Sequence, residues 1–237
     1  MGAIPGWLPI LAERINWGCS TSPWFVDLAD ESKIIKRGRR VMLDLWPYIK
    51  DLPVNISAVR QAVPESMTAA TKLLSRLADD ERTYQRLFTQ QFVLAERLTM
   101  EEAESEPTHE RTQKLCQTMA EMCQRRDFVD GCHAIVAAEL VATIYGRTSI
   151  PHYERYFEKH SDEYTQQEID DGLEWLRLHA KTHTRHAIWM TKMLRDIGSD
   201  FGNEIPEGAL AILNCFLRVW ECPAEPNVSQ FVKTLQH

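Results

Sequence analysis

Glycine is scarce in this chain, and several features that would direct it to particular partners are missing. Only 10 of its 237 residues are glycine, and no long basic run occurs. Acidic residues outnumber basic ones by 34 to 27, for a formal net charge of -7. Electrostatic attraction to nucleic acid or to an anionic membrane surface is therefore not expected.

The sequence also lacks clear features of a signal peptide, a membrane span or a disulfide-bonded protein. Two prolines interrupt the apolar N-terminal segment, residues 1–11, and no cationic region precedes it, so we expect neither a signal peptide nor an anchor. No later stretch is expected to be long enough to span a bilayer. The six cysteines never form C-x-x-C. They are interpreted as reduced thiols in the core of a cytoplasmic protein, rather than as disulfides or a zinc site.

Apolar residues recur at three- and four-residue spacing over long stretches, which is the pattern of amphipathic helices. With so few glycines, this pattern predicts an all-α fold: a single domain over residues 1–237, built as one bundle of about seven helices. Residues 1–23 are expected to be an irregular N-terminal segment and residues 222–237 a C-terminal tail.

The helix boundaries are predicted from prolines, caps and polar connectors. Helices are expected over residues 24–36, 41–52, 57 or 64 to 98, 108–124, from 130 to a break at 146–151, 152–159, 165–197 and 207–221. Residues 99–107 are expected to be an acidic connector. The run from Ile135 to Tyr145 is apolar nearly all round, which predicts a helix at the centre of the bundle.

Three histidines, His179, His183 and His186, lie within one predicted helix in the run L-H-A-K-T-H-T-R-H-A. Spacings of four and three residues place them on one helix face, where imidazoles can converge on a metal ion. Charged residues alternate with them, so a solvated face is the competing interpretation.

Glu139 is a single carboxylate in an otherwise apolar helix. A buried carboxylate must be protonated, paired or bound to a metal, because an isolated charge is too costly to bury. Ligation of a metal and a salt bridge to an arginine of a neighbouring helix both remain open. His133, almost two turns earlier, is expected near the helix entrance rather than at the site.

A third candidate is the stretch L-A-D-D-E-R-T-Y-Q-R-L-F, in which Asp80, Glu81 and Tyr84 can face inward. A solvated acidic stripe is the simpler interpretation of this stretch alone. Together with Glu139 and the histidines, however, Glu81 would complete the mixed carboxylate and imidazole set that non-haem iron or manganese prefers.

These residues resemble the heme-oxygenase-like diiron oxidases, which are relatives in fold of the TenA thiaminases and PqqC. That family has a glutamate followed by a histidine on one helix, a second glutamate nearly sixty residues on, and then H-x-x-x-D-x-x-H. The resemblance covers roughly residues 47–220. It implies a heme-oxygenase-like bundle in which Glu81, Glu139, His179 and His186 hold metal, and it suggests a homodimer.

Two positions depart from the family pattern. Tyr84 or Gln85 stands where the first histidine is expected, and His183 stands where the family has aspartate. A phenol can ligate ferric iron and an imidazole can replace a carboxylate, so Tyr84 is a candidate catalytic residue and His183 a candidate ligand. Two other registers, one using Glu102 with His109 and one using His160 with Tyr164 and Gln167, are less favoured.

The resemblance implies O2-dependent oxidation of a small amino-acid-like or fatty-acid-like metabolite with one or two iron ions, or manganese. Two alternatives remain open. One is a metal-free TenA-like hydrolase with Cys132 as nucleophile and Glu221 as acid/base partner, although Gln91 lies in the neighbourhood where that family has a catalytic aspartate. The other is a non-catalytic helical scaffold that has kept a relic of the site.

Overall fold

The computed structural model describes residues 4–125, 127–199 and 202–223, and within residues 182–187 it describes the backbone alone. The all-α prediction is confirmed, since the described residues form helices and contain no strand. The helices are α1 Trp7–Thr21, α2 Pro23–Leu28, α3 Ile34–Ala62, α4 Thr68–Gln90, α5 Met100–Ser105, α6 Glu110–Gln124, α7 Phe128–Lys159, α8 Gln166–Asp196 and α9 Glu207–Val219, and a short 3₁₀ helix, Gln91–Leu94, follows α4.

Helix α7 is the central helix, as its apolar composition predicts. It packs against α8 and α9 most extensively and also against α1, α3 and α6. The predicted break at residues 146–151 is wrong, because α7 continues through both Gly146 and Pro151. Gly146 lies where α7 and α8 approach closely: a Cβ atom built there would be 2.8 Å from the Leu176 carbonyl oxygen. This glycine permits helix packing and does not end the helix.

The uninterrupted α7 is long and apolar enough to cross a bilayer by length and composition, contrary to the sequence-based expectation. Most of its apolar stretch is nevertheless buried against the other helices. Burial of this kind is that of a core helix in a bundle.

The N-terminal segment is not irregular as predicted, because residues 7–21 form α1. Pro9, which suggested irregular structure, is the third residue of that helix. The first four backbone N–H groups of a helix have no partner within it, so proline is tolerated there. At the other end of the chain, most of the predicted tail lies outside the described residues.

The predicted helix over residues 24–36 is wrong, because α2 ends at Leu28 and α3 begins at Ile34 and continues through the predicted gap before residue 41. Helix α3 also runs through two prolines, Pro47 and Pro53, although the sequence predicted a helix end before Pro53. Because Pro53 has no N–H, the Ile49 carbonyl one turn earlier lacks its usual helical donor. The side-chain amide of Gln85 on α4 donates to this carbonyl at 3.2 Å and to the Lys50 carbonyl at 2.7 Å. A neighbouring helix thus compensates for the proline.

Capping residues set two other boundaries. Thr165 and Glu168 form a capping box that begins α8, close to the predicted start. Thr99 and Glu102 form a second one that begins α5, so the predicted connector contains a short helix. His109 caps α6, where Thr108 was predicted.

Four helices enclose the part of the core in which the candidate residues lie. Helices α3, α4, α7 and α8 pack on one another around it, and α9 closes one side against α7. The buried apolar residues form a continuous core across these helices.

Candidate functional site

Glu81 lies on the buried face of α4, between Leu77 and Tyr84 at helical spacing. Only 2 % of its surface is exposed. Asp80, its neighbour, lies at the edge of that face and contacts Arg76 at 3.7 Å. The expectation that Glu81 and Tyr84 face inward is therefore confirmed, whereas Asp80 belongs to the partly exposed side of the helix.

Glu139 lies on α7 among buried apolar residues, as predicted, and is 4 % exposed. It lines the same cavity as Glu81, although the two come from different helices. No arginine or lysine is among the described side chains that line this cavity.

Glu139 acts electrostatically on the Glu81 carboxyl. Burial raises the pKa of Glu81 well above its ordinary value, and the negative charge of Glu139 raises it further. Oε1 of Glu81 is buried without a hydrogen-bond partner among the described residues. A cation or a proton between these groups would offset the cost of burying the Glu81 charge and its repulsion from Glu139.

His179 lies on α8 and faces the same cavity, with 2 % of its surface exposed. Its Nδ1 atom is 2.8 Å from the Trp175 carbonyl oxygen, which can only accept. Nδ1 therefore carries a proton, and in the neutral form of the ring the lone pair is on Nε2. Metal-binding histidines are commonly oriented by this kind of bond from the other ring nitrogen.

Two aromatic rings fix the position of the imidazole. The Trp175 ring lies with its centroid 3.9 Å from that of His179, and Tyr84 packs edge-on against the histidine at 5.4 Å. Tyr84 is thus brought to the site, where it contacts a candidate ligand.

His183 and His186 occupy positions one and two turns further along α8, and their side chains lie outside the described residues. Among the side chains that the structure does describe, no group of three or more His, Cys, Asp or Glu residues is arranged to hold a metal ion. The described part of the predicted ligand set is Glu81, Glu139 and His179.

The cavity between these three residues is small and mostly aromatic. Its volume is about 30 Å³, which is room for two or three waters or ions, at roughly 10–15 Å³ each. The aromatic side chains that line it come from α3, α7, α8 and α9 and from the residue after α9: Tyr48, Tyr145, Trp175, Phe216 and Trp220.

Tyr48 was not singled out in the sequence. Its hydroxyl is buried without a partner among the described residues. Burial raises the pKa of Tyr48, and the charges of Glu81 and Glu139 raise it further, which places the hydroxyl in the field of both carboxylates. Its position on the buried face of α3 was visible in the sequence, but nothing there distinguished it from an ordinary core tyrosine.

The acidic and histidine residues of the two less favoured registers, and His133, do not line this cavity. Glu102 is exposed in the capping box of α5, and His109 is exposed at the start of α6. His160 lies at the end of α7, where it contacts Glu31 and Glu163. His133 lies near the start of α7 as expected, with Nε2 2.8 Å from Ser199 Oγ.

The residues of the hydrolase alternative do not line this cavity. Cys132 is fully buried, and burial raises the pKa of its thiol to about 12. Glu221 lies at the surface, where it forms a salt bridge with Arg111 at 2.8 Å. Gln91 is buried in the 3₁₀ helix. None of the six cysteines forms a disulfide.

No family model and no curated protein matches this sequence. Solved structures do match the fold. A TenA homolog from Pseudomonas syringae pv. tomato str. DC3000 has a TM-score of 0.67 at 12 % identity, over 98 % of this chain and 90 % of that one. A domain of unknown function with a heme oxygenase-like fold, from Shewanella denitrificans OS217, has a TM-score of 0.70 at 14 % identity, over 95 % of this chain and 91 % of that one. At such identities the likeness shows the heme-oxygenase-like fold alone.

Proposed function

We propose that this chain is a non-haem iron oxidase or oxygenase that uses O2 to oxidise a small metabolite. The observation that carries the proposal is the pair of carboxylates: Glu81 and Glu139 are buried on different helices, they line the same cavity, and the charge of Glu139 raises the pKa of Glu81. Two such groups are costly to bury unless a cation or a proton is shared between them.

The described residues offer donors of the kinds that a metal ion takes, although by themselves they form no group of three ligands. Oε1 of Glu81 has no partner among the described residues, Nε2 of a neutral His179 would supply a lone pair, and the cavity that both residues line has ion-sized room. Oxygen and nitrogen donors of this kind suit iron, and also manganese. We propose that Glu81, Glu139 and His179 hold one or two ions together with His183 and His186.

Iron bound there would supply the reduction of O2, which protein side chains alone do not perform. The chain's own groups orient and isolate the site. The Trp175 carbonyl fixes the tautomer of His179, and Tyr84 packs against the ring of that histidine. Aromatic side chains line the cavity, and a wall of this kind would strengthen electrostatic interactions inside wherever it keeps bulk water out.

The cavity also bears on the substrate class. A volume of about 30 Å³ has room for neither an amino-acid-like compound nor an acyl chain unless the surrounding helices move apart. Both substrate classes that the resemblance implies therefore require the cavity to open. Tyr84 stays a proposed catalytic residue, as a phenol adjoining the imidazole of His179.

The fold likeness is equally consistent with the TenA-like alternative. The neutral, buried thiol of Cys132 argues against that alternative, because the thiolate is the nucleophilic form. A scaffold that has kept a relic of the site is the remaining alternative.

Anaerobic titration with Fe(II) tests the proposal. We expect saturable binding of one or two equivalents and a change in the optical spectrum when air is admitted. The His183→Asp variant restores the family's ligand pattern and should preserve or strengthen the second equivalent, if two are bound. Tyr84→Phe should remove any phenolate-to-iron absorption band. A wild-type protein that binds no iron would leave the hydrolase and the relic as the alternatives to pursue.

A further inference from the structure

An open cleft lies where α3, α6 and the end of α9 meet. Its volume is about 350 Å³, which is within the range of small-molecule sites. The charged and polar residues that line it are Arg37, Arg40, Asp44, His109, Arg111, Thr112 and Glu221. None of these residues lines the aromatic cavity of the candidate metal site, so the cleft is a separate feature of the molecule.

Two arginines of the cleft have N–H donors that the described residues do not use. A guanidinium carries five such donors. Arg37 on α3 donates from Nη2 to the carboxylate of Asp27. Arg111 on α6 donates from Nη1 to Glu221 at 2.8 Å and to the Arg218 carbonyl at 3.4 Å. The Nε atom and the second Nη atom of each guanidinium make no hydrogen bond to a described residue, which leaves two planar donor groups at the cleft.

The third arginine, Arg40, belongs to the floor of the cleft. It binds the Asp44 carboxylate through both Nε and Nη2, at 3.0 and 2.7 Å, and Asp44 is only 9 % exposed. Burial raises the pKa of Asp44, although the charges of Arg40 and His109 oppose the rise. The floor is therefore shielded from bulk water, which strengthens the interaction of the remaining charges with a bound ion.

Helix α6 begins at this cleft. His109 is its N-cap and accepts the backbone N–H of Arg111 through Nδ1 at 3.2 Å. Thr112, in the first turn, also lines the cleft, and its buried hydroxyl has no hydrogen-bond partner among the described residues. The N-terminus of a helix carries a partial positive charge and favours anions, so it adds to the attraction of the guanidiniums.

A wider depression adjoins the cleft, and Arg111 and Glu221 line both. Its volume is about 550 Å³, and its lining adds Lys114 and Arg218 together with Glu110. Neither the Lys114 ammonium nor the Arg218 guanidinium forms an ion pair with a described residue. Cationic groups thus continue beyond the cleft in a chain whose formal net charge is -7, and the organic part of a ligand has room there.

We propose that this cleft binds the phosphate group of a small metabolite, held by the guanidiniums of Arg37 and Arg111 at the N-terminus of α6. The planar fork of arginine matches phosphate oxygens in pairs, and this is the charge and geometry that the cleft supplies. The Glu221 carboxylate competes with the ligand for Arg111 and opposes binding. The proposal does not depend on the iron function, because it uses no residue of the metal site.

Inorganic phosphate, titrated into metal-free protein at constant ionic strength, tests the proposal. The Nε–Hε signals of the arginines in ¹⁵N-labelled protein report on the contacts directly. We expect saturable shifts for Arg37 and Arg111. Arg60 is the matched control, because it also lies on α3 and pairs with a glutamate, Glu65, at 2.9 Å, but lies outside the cleft. Absence of saturable shifts, or an equal response of Arg60, would overturn the proposal.

Calorimetric titration of four variants with phosphate gives a second test. Arg37→Gln and Arg111→Gln should each weaken binding severalfold, whereas Arg60→Gln should leave it unchanged. Glu221→Gln should tighten binding, because it removes a negative charge and the competitor for Arg111. Circular dichroism checks the helical content of each variant, and Arg37→Gln and Glu221→Gln keep the test decisive if Arg111→Gln fails to fold.

Two results would contradict the phosphate assignment. One is weaker binding by a folded Glu221→Gln variant, since a structural role of the Arg111–Glu221 ion pair predicts that loss and competition for Arg111 predicts the opposite. The other is succinate binding as tightly as phosphate at the same ionic strength, which would show a cleft for carboxylates.

Discussion

Gln85 on α4 donates hydrogen bonds to the carbonyls of Ile49 and Lys50 on α3, at 3.2 and 2.7 Å. These bonds compensate for the donor that Pro53 lacks and tie two walls of the candidate site together. Gln85 is one of the two residues that stand where the family pattern has its first histidine. Its amide is directed to the α3 backbone, so of the two only Tyr84 contacts the candidate ligands.

A double-mutant cycle tests this role of Gln85. We expect Gln85→Leu to lower the free energy of unfolding by about 1 kcal/mol, because a partly buried carbonyl loses its donor. In a Pro53→Ala background the same change should cost less, since alanine at this position restores the helical N–H. Urea unfolding measures all four proteins. Equal costs in the two backgrounds would show that Gln85 acts by another route.

The raised pKa of Glu81 makes a prediction for metal-free protein. Because the folded-state pKa lies above the unfolded-state value, the folded protein binds more protons, and its stability falls as pH rises from the unfolded pKa through the folded pKa. Glu81→Gln removes the titrating carboxyl and, with it, this loss of stability at higher pH. The variant should therefore gain stability relative to wild type between pH 4.5 and 7.5, as measured by urea unfolding.

Glu102 is the matched control for this experiment. Its pKa is lowered to about 2, first by hydrogen bonding to the Thr99 backbone and then to Arg39. A lowered pKa contributes stability above the unfolded value that is lost only as pH falls towards 2. The difference between wild type and Glu102→Gln should thus stay level from pH 5 to 7.5. A level difference for Glu81→Gln as well would mean that its carboxyl is ordinarily solvated.

Gly146 links helix packing to the site. Alanine there would bring its Cβ to 2.8 Å from the Leu176 carbonyl oxygen, one turn before His179, so α7 and α8 would have to separate. We expect Gly146→Ala to cost about 1–3 kcal/mol of stability and also to weaken iron binding.

Gly198 offers the control, because its φ of 69° strains any side chain although no described atom lies within 4 Å of its Cβ position. Gly198→Ala should lose roughly 1 kcal/mol while iron affinity stays unchanged. Calorimetric unfolding and iron titration of both variants give the comparison. If the two lose iron affinity equally, general destabilisation is the cause.

The reactivity of Cys132 separates the oxidase from the hydrolase. With a thiol pKa raised to about 12 by burial, native Cys132 should resist iodoacetamide at pH 8, whereas all six cysteines should react after denaturation. Peptide mass spectrometry identifies the labelled residues. Rapid labelling of native Cys132 would indicate an activated thiolate and favour the hydrolase.

Helical periodicity and caps predicted the fold class, the central position of α7 and the bounds of α8 and α9. The predicted helices over residues 24–36 and from 57 or 64 to 98 were wrong in their bounds, since the structure has α2, α3 and α4 there. Three other boundaries failed at a proline or a glycine. Pro9 lies in a first turn that needs no donor, Pro53 is compensated by Gln85, and Gly146 allows α8 to approach. Each of these effects depends on a neighbouring helix or on the local helix register, which the spacing of apolar residues does not show.

The candidate site was partly predictable for a related reason. A lone carboxylate in an apolar helix identified Glu139, and inward periodicity identified Glu81. Tyr48 was not predictable, because an aromatic residue at a buried position is ordinarily core. Only the packing of α3, α4, α7 and α8 shows which of these residues lie beside the carboxylates.

Anaerobic Fe(II) titration of three single variants beside the wild type tests the central claim most directly. Glu139→Ala and His179→Ala each remove a proposed metal ligand from the buried cavity, so each should lower iron affinity substantially. His109→Ala changes an exposed cap of α6 and should leave the affinity unchanged. Equal and negligible binding of iron by the wild type and all three variants would contradict the oxidase proposal and leave the helical bundle with the hydrolase and the relic scaffold as alternatives.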